Sequence, residues 1–244
     1  MKLKYELKKE VIDGIKSPLL EETYLLNVTT TMRDAFIVGQ RGSGKSIFAI
    51  KWAIAQSEVD PEFYEPFDLY KHLFFTREDL LEYLKYLFYH PPERYVNLVF
   101  DDAGVDANNK KWWEEFSIQL GQVLQSYRFL KANLFVTVPF ASLMLKETRK
   151  LFTTLIICEK RLERKGYTLE EVKTAYVYNV TSSRGRFLRD YLYGDNKQFP
   201  KRANYEIDIG HLDEELYAEY EELKRAALAG AIFKPEGDEQ PTAR

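Results

Sequence analysis

The chain has 244 residues, 45% hydrophobic and 30% charged, long enough for one buried core or a core with a small appendage. Its 35 basic and 38 acidic side chains leave a net charge of -3, which excludes a globally basic nucleic-acid binder and confines any such contact to a local patch. The single cysteine, Cys158, excludes an internal disulfide framework and a thiolate zinc site, and no apolar run reaches the roughly 20 residues of a membrane span.

Residues 1–33 read as an N-terminal extension. Its start, MKLKYELKKEVIDG, is charged and lacks a signal-peptide core, which with the lone cysteine leads us to expect a cytoplasmic protein. LLNVTTTMRD at 25–34 is a candidate edge strand. Residues 34–38 form a short apolar run ending at Gly39 and predict a buried strand. Residues 46–56 are apolar around most of the helical circumference, as in a helix packed on a sheet. Residues 72–75 predict a second strand. Thr76 and Asp79 then form an acidic capping box, and Leu80, Leu81, Leu84, Leu87 and Phe88 recur at helical spacing until Pro91 and Pro92.

A third strand, 97–100, ends on Asp101 and Asp102. The helix predicted over 112–130 carries Phe116, Leu120, Val123, Leu124 and Tyr127 on one face. A strand at 134–137, a short helix at 140–152 and a strand at 155–158 follow. Strand and helix thus alternate from 34 to about 160, which predicts an α/β core with a parallel sheet between helical layers. Residues 161–233 read as a hairpin and helix packed on that core. Strands at 176–180 and 186–191 flank the turn TSSRG, and an acidic amphipathic helix spans 213–228. Residues 234–244 have the composition of a disordered tail.

The strongest motif lies between the first strand and its helix. Gly39, Gln40, Arg41, Gly42, Ser43, Gly44, Lys45 and Ser46 fill the pattern G-x-x-x-x-G-K-[ST]. The glycines let backbone N–H groups wrap phosphate oxygens, and the following helix points its positive end at them. Lys45 would reach the β- and γ-phosphates of ATP, and Ser46 would ligate Mg²⁺. Asp101, carried out on the end of an apolar strand, would hold that Mg²⁺, and Asp102 would orient or deprotonate the attacking water. Thr137 ends the fourth strand. It is either a contact to the γ-phosphate or attacking water, or simply a good strand residue.

Placed together, GQRGSGKS, LVFDDAG, LFVTV and FASLMLKETRKLFTTLIICE resemble the additional-strand P-loop ATPases over roughly residues 34–160. Within that division the chain is most similar to the FtsK/HerA-like group. Its nearer counterparts there are the zonula-occludens-toxin-like ATPases of filamentous phages and the small ATPases of archaeal viruses and plasmids. The resemblance implies a RecA-like three-layer sandwich, in which the 72–75 strand lies before or beside the acidic strand. It further implies a homo-oligomeric ring, often a hexamer, that moves or packages DNA with ATP, in the host cytoplasm if the protein is viral. Asp102 departs from the Glu found in many members, and the chain lacks the membrane anchor usual in the zonula type.

Two other functions fit parts of the pattern. DDAG at 101–104 also resembles the acidic motif of helicase-loader ATPases of the AAA+ group, and the same phosphate loop serves small-molecule kinases. Lys110 and Lys111, beside Trp112 and Trp113, are either DNA contacts or the surface start of a helix whose tryptophans enter the core. Arg149, between Lys146 and Lys150, is a candidate arginine finger acting in a neighbour's site, or part of a solvated cationic face. Arg184 and Arg186 flank Gly185 at the expected hairpin tip, placed to reach DNA or a neighbour, or to keep the hairpin soluble.

Overall fold

The computed structural model describes residues 20–21, 34–101, 110–126, 130–179, 203 and 205–232. In chain order the elements are β1 (Ala35–Val38), α1 (Lys45–Val59), α2 (Leu69–His72), β2 (Leu73–Phe74), α3 (Arg77–Tyr89), β3 (Val96–Phe100), α4 (Lys110–Ser126) and β4 (Ala132–Val138). A 3-10 turn (Ala141–Leu143) leads to α5 (Lys146–Arg149), β5 (Thr154–Lys165), β6 (Thr168–Asn179), β7 (Tyr205–Asp208) and α6 (Glu214–Ile232).

The strands form one sheet in the order β2-β3-β4-β1-β5-β6-β7. The first five are mutually parallel, and β6 and β7 add on antiparallel. With a phosphate loop joining β1 to α1 and β4 between β1 and the acidic strand β3, this is the RecA-like P-loop architecture. The intervening strand is β4. The strand anticipated at 72–75 is only Leu73–Phe74, on the outer edge beside β3. His72 belongs instead to α2, because Asp68 caps that turn by accepting the Tyr70 N–H at 2.8 Å.

Period-two alternation in β1 sorts its side chains onto two cores. Phe36 faces α3 and α4 with Leu80, Leu84, Trp113, Phe116 and Leu120. Ile37 faces α1 with Phe48, Ala49, Trp52 and Ala53, and Ile209 and Tyr220 join that side from the C-terminal region. Trp113 is wholly buried, which makes it a core residue. A polar ladder pins α1 to the sheet. Asn133 Nδ2 donates to Asn97 Oδ1 at 2.8 Å, and Asn97 Nδ2 donates to the Ala53 carbonyl at 3.1 Å. α3 starts where its capping box places it, with the Thr76 hydroxyl accepting the Asp79 N–H.

The helix expected over 140–152 is two separate turns. The Ser117 hydroxyl of α4 accepts the Leu145 N–H at 3.1 Å, and Thr148 Oγ1 donates to the Ser117 carbonyl at 2.7 Å. These anchors hold Leu145 extended and interrupt the helix there. The domain boundary expected at 160 falls inside β5. β5 and β6 pair over their full lengths, turn at Gly166 and Tyr167, and run beyond the four residues that pair with β1. Tyr176 and Val177 pair with β5 on one edge and β7 on the other. The turn and return strand of the hairpin expected at 176–191 lie outside the described residues, as do the 25–33 part of the expected edge strand and the tail.

Candidate nucleotide site

β1 delivers the chain to the head of the parallel sheet, where the loop turns into α1. Gly42 and Gly44 have φ of 79° and 89°, a left-handed region that only glycine enters without strain. Gly39 answers to space instead: a Cβ there would lie 2.3 Å from the Cys158 carbonyl oxygen and 2.6 Å from Ser43 Oγ. The loop closes with Ser43 N donating to Gln40 O at 3.1 Å, and Phe48 N donating to Gly44 O makes the first helical bond at 2.8 Å. Lys45 folds back over its own loop and donates to the carbonyls of Gly39 at 2.7 Å and Gln40 at 3.1 Å. The ammonium therefore stands at the loop that a phosphate would fill, where it needs only to exchange carbonyl partners for phosphate oxygens.

Asp101 follows the last residue of β3 and is almost wholly buried. Its backbone N–H donates to Phe74 O at 2.8 Å. Its Oδ1 accepts from Ser46 Oγ at 2.7 Å and from Thr137 Oγ1 at 2.8 Å. Residues from α1, β3 and β4, far apart in sequence, thus meet on one carboxylate oxygen, as the parallel strand order requires. In this structure Thr137 orients Asp101.

Oδ2 accepts two donors that the sequence did not announce. Tyr220 OH donates at 2.8 Å and Lys224 Nζ at 3.2 Å, both from α6, and Lys224 also donates to Tyr220 OH at 2.7 Å. Burial first, then the neighbouring Asp101 charge, push the Tyr220 phenol far above its ordinary range, so it stays a donor. α6 is held by its approach. Ile209 N donates to Lys173 O at 2.9 Å, and Lys51 Nζ of α1 donates to the carbonyls of Ile209 at 2.7 Å and His211 at 3.2 Å. The only hint in the sequence was that Tyr220 and Lys224 lie four apart, on one face of an amphipathic helix.

A cavity of about 360 Å³ adjoins the loop, lined by Val38, Gln40, Ser43, Phe140, Leu155 and Ile157 among others. Cys158, behind the loop, is buried, and that burial raises its thiol to about 12, so it is an inert packing group. Among the described residues no three His, Cys, Asp or Glu side chains gather as a metal cage. A magnesium ion bound mainly through nucleotide phosphates needs no such cage. Ser46 and Asp101 suit that role, and Asp101 Oδ2 already receives a cationic group in Lys224.

α5, with Arg149, leads to the foot of the sheet. There Thr153 and Thr154 donate their N–H groups to Asp34 O, at the opposite end of β1 from the phosphate loop. Lys110 and Lys111 begin α4, but their side chains lie outside the described residues, as do Asp102, Arg184 and Arg186.

No protein-family model matches the sequence, and no curated protein matches it significantly. Solved structures match the chain at low similarity. The N-terminal domain of zonular occludens toxin from Neisseria meningitidis is 13% identical, with a TM-score of 0.38 over 77% of this chain and 98% of that one. A KaiC-like protein from the archaeon Pyrococcus horikoshii is 13% identical, with a TM-score of 0.37 over 60% and 78%. ATPases 2 and 3 of EssC from Geobacillus thermodenitrificans give 13% and 0.37 over 81% of this chain and 44% of theirs. The chain resembles RecA-like P-loop ATPases in fold, on the strength of its own sheet order and loop. Among the described residues no helix is long and apolar enough to cross a membrane.

Proposed function

We propose that this protein is an ATPase. The observation that carries the reading is the hydrogen bond from Ser46 Oγ to Asp101 Oδ1 at 2.7 Å, which joins the phosphate loop to a buried carboxylate across 55 residues of sequence. Gly39, Gln40, Arg41, Gly42, Ser43, Gly44 and Lys45 would hold the phosphates of ATP, Ser46 and Asp101 would hold Mg²⁺, and Asp102 would orient the attacking water. Bound there, Mg²⁺ would neutralise charge on the β- and γ-phosphates. Lys45 would move from its loop carbonyls to the phosphate oxygens, and Thr137 would keep the Asp101 carboxylate in place.

Within that reading we favour an oligomeric motor that translocates or packages DNA. The β5–β6 ribbon supports assembly: it runs past the phosphate loop and exposes Leu162, Tyr167 and Leu169 near its turn, apolar surface of the kind a neighbouring subunit covers. The AAA+ helicase-loader reading is less favoured, because among the described residues β5 continues into antiparallel strands where that group places a helical lid. A small-molecule kinase is the third reading.

The test is ATP hydrolysis by the wild type and Lys45→Ala, alone and with double-stranded DNA, single-stranded DNA or RNA, alongside the mass in solution. Hydrolysis that vanishes in Lys45→Ala supports the site, and equal rates in the two proteins sink it. Stimulation by DNA that fades at high salt supports the motor. Monomeric, nucleic-acid-insensitive turnover removes the motor, and phosphate transfer to a small acceptor would promote the kinase.

A further inference from the structure

The Asp101 carboxylate is saturated. A carboxylate offers about four lone-pair positions. Ser46 Oγ and Thr137 Oγ1 occupy Oδ1, and Tyr220 OH and Lys224 Nζ occupy Oδ2. Nothing further can bind this carboxylate, directly or through water, until one donor withdraws.

The four donors are not equally free to leave. Thr137 is wholly buried on β4, and Tyr220 is nearly so, packed against the Phe75 ring and Tyr217. Ser46 can keep its hydrogen on Asp101 while its oxygen turns to a metal. Lys224 differs twice over. It is the only donor of the four that carries a full positive charge, and about a quarter of its side chain remains exposed, so a path to solvent exists. A divalent cation and an ammonium on the same carboxylate oxygen repel one another strongly in a buried setting.

We infer that Lys224 is the resident counter-ion of Asp101 and exchanges with the metal, so that α6 is a positioning element of the nucleotide site. Metal-free, the Lys224 ammonium stabilises a buried carboxylate that would otherwise be uncompensated. When Mg²⁺ arrives with nucleotide, Lys224 gives up Oδ2 and α6 loses its ionic anchor, while Tyr220 keeps the carboxylate oriented. The C-terminal helix is thereby coupled to the metal state of the site. The inference rests on the assignment of Ser46 and Asp101 as metal-holding residues.

The experiment is a Mg²⁺ titration of fluorescent mant-ADP binding to the full chain, started in EDTA, for the wild type, Lys224→Met and Lys224→Arg. Removing the competing charge should lower the Mg²⁺ concentration at half-effect by about five- to tenfold in Lys224→Met. Lys224→Arg, which restores a cation, should stay within about twofold of the wild type. An unchanged or raised midpoint in Lys224→Met overturns the inference, and so does an arginine variant that behaves like the methionine variant, since packing alone would then explain Lys224. Should Lys224→Met fail to fold, hydrogen exchange of the wild type decides. Amides of α6 around Tyr220 should exchange faster with Mg²⁺ and ADP than with ADP in EDTA, and equal or slower exchange overturns the inference. Wild-type protein that binds no mant-ADP, or binds it independently of Lys45, defeats the ATPase reading itself. Lys45-dependent binding with coincident Mg²⁺ midpoints defeats only the exchange.

Discussion

Thr137, next to last in β4, and Asp101, just past the end of the neighbouring parallel strand β3, share a buried hydrogen bond of 2.8 Å, 36 residues apart in sequence. The hydroxyl, and not merely the β-branched shape, therefore matters at this position. Thr137→Val keeps the shape and leaves Asp101 Oδ1 with Ser46 alone. Loss of one hydrogen bond to a buried charge, worth about 1.5–3 kcal/mol, should lower ATP turnover by about ten- to a hundredfold while the fold survives. Thr137→Ser should restore it. Steady-state hydrolysis of both variants is the check, and wild-type turnover in Thr137→Val would return Thr137 to being a plain strand residue.

Gly39 and Gly42 are required for different reasons, and substitution separates them. Alanine at Gly39 places its Cβ 2.3 Å from a backbone oxygen of β5, so the loop or the strand must shift. That should cost about 2–3 kcal/mol and abolish nucleotide binding. Alanine at Gly42 meets nothing closer than Lys160 Nζ at 3.8 Å and suffers only the left-handed backbone, about 1–2 kcal/mol. Urea denaturation and mant-ADP titration of each variant measure both effects. A Gly39→Ala protein as stable as Gly42→Ala would contradict the close approach.

The local parts of the site were legible in the sequence because each is a short contiguous signal. Glycine spacing marked residues 39–46, an apolar run pointed to Asp101, and Thr76 with Asp79 located a helix start. What escaped notice is non-local or lacks an apolar face. Strand order cannot be read from strand positions: the 72–75 strand lies beside the acidic strand as expected, but that β4 separates β1 from β3 needed the structure. The ribbon beyond Cys158 was missed because its residues bury little against the core. Lys160 pairs with Glu171 at 3.3 Å and Arg161 with Glu163 at 2.6 Å on its surface, with no period-two hydrophobic stripe. Tyr220 and Lys224 reach Asp101 across 119 and 123 residues, a contact no local motif encodes.

At the foot of the sheet Asp34 and His72 pull the pH dependence of stability in opposite directions. Burial raises the Asp34 carboxyl from 3.8 to about 7, although its Oδ1 accepts the Leu134 N–H at 2.9 Å. The folded state then binds a proton more tightly than the unfolded state, so this group withdraws stability as pH rises from about 4 to about 7. Burial lowers His72 from 6.5 to about 4, with Nδ1 accepting the Asp68 N–H. Its contribution is full above 6.5 and is lost as pH falls towards 4. Between pH 4 and 6.5 the two slopes oppose each other. Asp34→Asn keeps an acceptor for Leu134 and removes one slope. It should be more stable than wild type at pH 8 by about 2–4 kcal/mol and should unmask acid destabilisation below pH 6.5. Chemical denaturation at pH 5 and pH 8 tests both signs, and parallel profiles for variant and wild type would refute the assignment.

The last expectation concerns assembly. If the subunits assemble as a ring, Arg149, which ends α5, is the first candidate to serve hydrolysis in a neighbour's site. An arginine supplied across an interface stabilises charge on the transferring phosphoryl group and is worth about 10³ to 10⁵ in rate where it operates. Arg149→Ala should then bind ATP normally and hydrolyse it poorly. If it does not, Arg184→Ala and Arg186→Ala take its place as the next to test. Mixing the impaired variant with Lys45→Ala subunits should recover part of the activity, because some mixed interfaces then pair an intact loop with an intact arginine. Turnover per subunit should also rise with protein concentration. Activity that is independent of concentration, with no recovery on mixing and no loss in any of the three arginine variants, would mean that each chain hydrolyses alone, and the ring would drop out of the mechanism.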